Sequence, residues 1–455
     1  MQKRKIAFII FLLLAFIRNS AVFGWSEHPM LVGTALKRHP AWLTLQAVEA
    51  KTLESFILKN EKALEVFLAE HENWSQANLP NYLPLPATLQ FEATGDESNV
   101  KLRFLRAIRV NPHARMPLYL HLMPLESDTG LQFISPSEVT TLLDVGVMSQ
   151  TRYVSVLAGE LVSPFQVMNS ATDEPDYGFD LGLFEDNETE YGKVYGFGKQ
   201  AFGNPKLEYS SQAPFHMGFY HEAGVLYLFG PFLKQTFVDY RVNLYRALSV
   251  FAFGQGEAYW GWRFAGWAMH YAGDLTMPYH CKPLPGTSTL KMIWMNIKAI
   301  FGWKQDVKDA IQLVSNKHSV FEQFQWEELR RAIVNRNYKH PFLLALENPY
   351  PTLKYNNRFI YEEASAKAVS KAVDCNDALM RFVPARFVDD PTVEVADLPD
   401  FTRISAVILD EKGQESVDGL REVIAERMRS FSMTMNSFLE EILEQSSPNM
   451  QKKIQ

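Results

Sequence analysis

Two histidines that each stand four residues ahead of an acid, His270–Asp274 and His318–Glu322, constrain this chain more than any other feature. A helix brings side chains at that spacing onto one face, so the pairs speak to fold and chemistry together. Each pair alone is either a surface ion pair or part of a metal site. The first pair continues through Leu275-Thr276-Met277-Pro278-Tyr279-His280. Pro278 disfavours helix at Met277, so the chain turns there and His280 can return beside the helix end. The resulting five donors, all nitrogen or oxygen, exceed what one tetrahedral zinc requires. A site with more than one metal follows, and imidazole with carboxylate suits zinc better than magnesium or calcium.

The rest of the chain supports a mainly α fold. Apolar residues return every three or four positions over 42–72, and similar patterns occupy 97–109, 136–144, 150–169, 237–274, 304–326, 360–382 and 416–445. Thr88–Glu92 is the best short strand, and the Gly- and Asp-rich stretch 173–206 reads as a long loop. Residues 391–455 are expected to form a small C-terminal appendage after Asp389-Asp390-Pro391. With 47% apolar and 21% charged residues, disorder and a disulfide-rich miniprotein are excluded. The net charge of -7 is a poor match for non-specific nucleic-acid binding. His39, His71, His113, His121 and His340 have no partner at helical spacing and read as ordinary exposed or core histidines.

At the N-terminus, Lys3-Arg4-Lys5 precede an apolar run from Ile6 to Ile17 and then Val22-Phe23-Gly24. That order predicts a secretory signal peptide over 1–24, cleaved behind Gly24 to leave Trp25 first. Export would place the protein in the periplasm or outside the cell, where Cys281 and Cys375 either pair or stand as two buried thiols.

Trp25 at the expected mature N-terminus, then His28, the His-x-x-x-Asp block with His280, and the His-x-x-x-Glu pair resemble the zinc-dependent phospholipase C and P1 nuclease superfamily. The resemblance implies a helical fold around three zinc ions, with the first mature residue binding metal through its amine and carbonyl oxygen. By this likeness Trp25 would share an ion with His318 and Glu322. His28 would share another with Asp274 and an acid from the intervening segment, and His270, His280 and one further histidine would complete the set. The acid would be Asp176 in Glu174-Pro175-Asp176, with Asp173 and Asp180 as competitors. The histidine would be His216, with His221 second, and His39 competes with His28, which stands closer to Trp25 than is typical. Asp176 would also orient or deprotonate the attacking water.

His28 and Asp176 stand 148 positions apart, so the catalytic region, 25–390, is expected to carry an insertion at about 29–165. The family's two branches cleave phospholipids or nucleic acids. Glu322, where the nucleases usually carry Asp, and the flanking His318-Ser319-Val320-Phe321 resemble the phospholipase branch. The expected activity is a secreted phospholipase C acting on the glycerol-side phosphodiester of phosphatidylcholine-like lipids, its partner being a membrane surface. The alternatives are a single-strand nuclease and a non-catalytic metal-binding protein. Met292–Trp303 lies between the halves of the motif and could pack in the core, stack a base or dip into lipid through Trp294 and Trp303.

Overall fold

A computed structural model describes Trp25 and residues 27–446. The expected signal segment, 1–24, lies outside the described residues. The fold is mainly helical and is organised around one hairpin of helices, Val238–Gly254 and Ala258–Asp274. The turn between them uses Gly256 at φ +74°, a conformation that costs glycine little. Every residue from Tyr259 to Asp274 is buried, so this helix is covered on all sides. It packs against Pro164–Ala171, where Gly266 lies so close to Met168 O that a Cβ would fall 2.4 Å from it. His28–Leu36, Gln305–Val334 and Gln414–Ser446 complete the surroundings of the site.

Two small antiparallel sheets flank this core. Val48–Glu49 pairs with Leu161–Val162. Arg152–Ser155 runs between Tyr119–Leu122 and Phe133–Ile134, with Tyr119 opposite Ser155 and Phe133 opposite Val154.

Several sequence expectations need correction. The first long helix spans Leu53–Asn78 rather than 42–72, because Thr52 Oγ1 accepts from Ser55 N and fixes its start. Residues 150–163 form two short strands and a turn, and helix begins only at Pro164. The 136–144 helix is confined to Pro136–Val139. Thr88–Glu92 is not a strand; its first residues lie in the 3-10 turn Ala87–Leu89. Of the two states open to them, Cys281 and Cys375 take that of separate buried thiols, and Cys281 Sγ donates to Leu275 O. The C-terminal region is no appendage. Helix Gln414–Ser446 buries Leu420, Ile424, Met428, Phe431 and Phe438 in the main core, and Phe431 touches both Trp25 and His28.

Candidate metal centre

Six segments deliver the site. His28 opens helix His28–Leu36, and Asp173 and Asp176 flank the start of the 3-10 turn Glu174–Tyr177. His216 ends Glu208–His216, His270 and Asp274 lie in the last turn of the central helix, and His280 sits in the short helix Pro278–Cys281. His318 and Glu322 lie in the middle of Gln305–Val334.

These side chains fall into three groups whose donor atoms lie within 4.8 Å of one another: His28, Asp173, Asp176 and His270; His216, His270 and Asp274; His280, His318 and Glu322. Asp274 links them. Its carboxylate is 3.4 Å from His28 Nε2, 2.9 Å from His216 Nδ1, 3.5 Å from His270 Nε2 and 4.0 Å from His280 Nδ1. Asp176 Oδ1 lies 3.5 Å from His270 Nε2 and 3.8 Å from His216 Nδ1. In the third group His318 Nε2 is 2.7 Å from Glu322 Oε1 and 3.1 Å from His280 Nε2.

The surrounding contacts hold the imidazoles in one orientation. His270 Nδ1 donates to Thr172 O at 2.7 Å and His280 Nδ1 to His216 O at 2.7 Å. Each ring therefore turns Nε2 inward, as histidine ligands held by a backbone carbonyl do. The acidic turn is clamped by Glu174, which accepts from Arg263 Nε at 3.0 Å and from Trp267 Nε1 at 2.5 Å. Asp180 accepts from Arg241 Nε at 2.9 Å and from Tyr271 OH at 2.5 Å, and its Oδ2 stands 3.5 Å from His216 Nε2.

Two observations fit metal cations. His270 Nε2 and His216 Nδ1 face each other at 3.1 Å, as His280 Nε2 and His318 Nε2 do, and inward imidazole lone pairs repel unless a proton or cation lies between them. Both ring nitrogens of His28, and Oδ1 of Asp274, are buried without a hydrogen bond of good geometry: His28 Nε2 and that oxygen stand 3.4 Å apart, and His28 Nδ1 is 3.5 Å from Asp173. Weakly paired buried groups of this kind cost up to about 1–3 kcal/mol each. Coordination removes that cost. The donors are imidazole and carboxylate alone, a set suited to zinc.

Without cations the cluster is strongly polarised. Burial alone would lower the His28 pKa, but Asp173 and Asp274 overcome it and lift it to about 9. His216 behaves likewise: burial pulls it down, while Asp180, Asp274 and Asp176 carry it to about 10. Burial pushes Asp176 up to about 7, with His216 and His28 opposing. Asp274 is held well below the usual carboxylate range because the surrounding imidazoles outweigh its burial.

Of the nine ligands expected from sequence, eight come together: His28, Asp176, His216, His270, Asp274, His280, His318 and Glu322. Trp25 stands beside them, its indole donating to Thr276 Oγ1 at 2.9 Å and its ring packed edge-on against Phe321 and Phe431. Three of the four competitors are engaged elsewhere. His39 bonds Glu440 near the surface, His221 bonds Tyr361 O and Ser365 Oγ, and Asp180 is taken by Arg241. Asp173 was expected only as a substitute for Asp176, yet both face His28 and His270. The Asp-x-x-Asp spacing was the available signal, since one tight turn puts positions three apart on one side. The Glu174–Arg263 and Asp180–Arg241 clamps had no local signal.

Asp173, Asp176 and His216 are slightly exposed, whereas His28, His270 and Asp274 are fully enclosed. An apolar pocket of about 200 Å³, lined by Met217, Phe219, Leu226, Met292 and Met295, reaches Tyr279 and His318. A larger cavity of about 670 Å³, around Trp74, Tyr220, Asp239 and Tyr361, contains none of the cluster's side chains. No family model, curated protein or solved structure matches this chain.

Proposed function

We propose that this chain is an exported zinc-dependent phosphodiesterase of the phospholipase C type, binding three zinc ions. The observation that carries the reading is a linked cluster of five imidazoles and four carboxylates in three groups, with an apolar pocket ending at one of them. Zinc bound there would supply positive charge for phosphate oxygens and lower the pKa of a bound water to about 7. His280, His318 and Glu322 would hold one ion together with the freed amine and carbonyl oxygen of Trp25. Asp173, Asp176 and His28 would hold a second with His270, and His216 and Asp274 a third. Asp274, in reach of His28, His216 and His270, would tie the second and third positions together.

Asp176 is the carboxylate best placed to receive a proton, because it borders two groups and keeps some solvent contact. It would take the proton of the attacking water as that oxygen bonds to phosphorus. The phosphorus–oxygen bond on the glycerol side then breaks, and the departing oxygen gains a proton to give diacylglycerol. The other product is the phosphorylated headgroup. The pocket beside His318 offers apolar walls to the lipid end of such a substrate.

A paired assay tests this on the mature protein: phosphatidylcholine against single-stranded DNA, with and without a chelator. Chelator-sensitive release of phosphocholine without DNA cleavage is expected. Chelator-sensitive DNA cleavage alone would replace the phospholipase reading with a nuclease, and bound zinc with neither activity would remove both.

A further inference from the structure

Helix Thr289–Ile300 is apolar on two opposite sides. Met292, Met295 and Ala299 are buried, and the two methionines line the pocket that reaches His318. On the other side Leu290, Trp294 and Phe301, at i, i+4 and i+11, are 80%, 58% and 75% exposed. These spacings put them along one stripe of a helix. Trp303 and Ile300 are exposed beside it, as are Leu228 and Val225 on the neighbouring helix Gly224–Phe229. So large a group of exposed aromatic and aliphatic side chains is unusual on a soluble surface.

We propose that this face seats on a phospholipid bilayer, with Trp294, Phe301 and Trp303 entering the interface. Charge favours that occupant. From Leu275 to Gln305 the chain holds Lys282, Lys291, Lys298 and Lys304 and no acid, although the chain as a whole is negative. Lys282 pairs with Glu222 and Lys298 with Asp306, while Lys291 and Lys304 are in no ion pair among the described residues. Tryptophan and lysine together on an apolar helical face are what headgroup level accommodates. No helix among the described residues is long and apolar enough to cross a membrane, so the seat is peripheral. The same helix lines the pocket with Met292 and Met295, so seating would bring the pocket within about one helix diameter, 10–12 Å, of the interface. Delivery of lipid to that pocket rests on the phospholipase reading; the seating itself does not.

The test compares wild type with a Trp294→Ala, Phe301→Ser, Trp303→Ala variant, all exposed positions, in flotation with vesicles of phosphatidylcholine and phosphatidylglycerol. Tryptophan emission and hydrolysis of a dissolved short-chain phosphatidylcholine are measured alongside. Vesicle binding should fall about tenfold or more and the blue shift on vesicles should vanish, with dissolved substrate cleaved at the wild-type rate. Equal vesicle binding by both proteins, or none by wild type, overturns the proposal. So does a wild-type dimer that the variant converts to monomer without vesicle binding, since the face would then join two copies. If neither lipid form is hydrolysed, the phospholipase reading fails while flotation still decides the surface.

Discussion

Removing Asp180 separates a ligand from a residue that positions one. Its carboxylate is fully buried against Arg241, whose other donors go to Ile108 O and Arg109 O. Asp180→Ala would leave that guanidinium buried with no counter-charge, and breaking a buried pair costs about 3–5 kcal/mol. Asp180→Asn keeps shape and one acceptor for Arg241, with the amide NH2 turned to the Tyr271 oxygen, but gives up charge-assisted bonds, about 1.5–3 kcal/mol. Unfolding entropy near 2.1 cal/mol/K per residue over about 420 described residues makes 1 kcal/mol worth about 1 °C. The expected losses in Tm are therefore about 3–5 °C for alanine and about 1.5–3 °C for asparagine. Both folded variants should keep wild-type zinc, measured by mass spectrometry beside calorimetry. Asp176→Asn should do the reverse, losing metal and turnover with less effect on Tm. An Asp180→Asn protein that loses one zinc at unchanged Tm would make Asp180 a ligand and refute the assignment.

His28→Ala and His216→Ala should each lower zinc content, whereas His39→Ala and His221→Ala should leave it at the wild-type value by the same assay. Metal loading should release protons, because His28 and His216 hold theirs up to about pH 9 and 10 when no cation is bound. Zinc affinity should accordingly rise with pH through neutrality, and calorimetry in buffers of different ionisation enthalpy measures the protons released. For the metal-free fold the sign is opposite: both histidines are raised above the ordinary value near 6.5, so the stability they lend is complete below about pH 6.5 and is lost as pH climbs through about 9–10. Denaturant melts of chelated protein at several pH values check this. Phe431→Ala should cost about 3–5 kcal/mol and loosen Trp25 and His28, read as a lower midpoint together with reduced zinc content.

What could be read in the sequence was local. His270 and Asp274 announced themselves because one helix sets their spacing, and the Gly- and Pro-free register around His318 did the same for Glu322. The helical class followed from the same periodicity. Thr52 carried a cap signal that would have placed the start of the Leu53–Asn78 helix. Arg152–Ser155 is too short for alternation to outweigh the apolar pattern on either side, and its pairing with Tyr119–Leu122 spans a long stretch of chain. Asp173 was hidden by the assumption of one acid per turn. Arg263, Arg241 and Phe431 act only through contacts distant in sequence, each reaching across dozens to hundreds of residues. No periodicity in the chain reports such contacts.

Anomalous diffraction at the zinc edge from crystals of the chain produced from Trp25 onward addresses the proposed trinuclear site directly. Three peaks are predicted: one among His280, His318, Glu322 and the Trp25 amine, one beside His28, Asp173 and Asp176, and one between His216 and Asp274. A single peak, or none with the imidazole pairs still in contact, would contradict it.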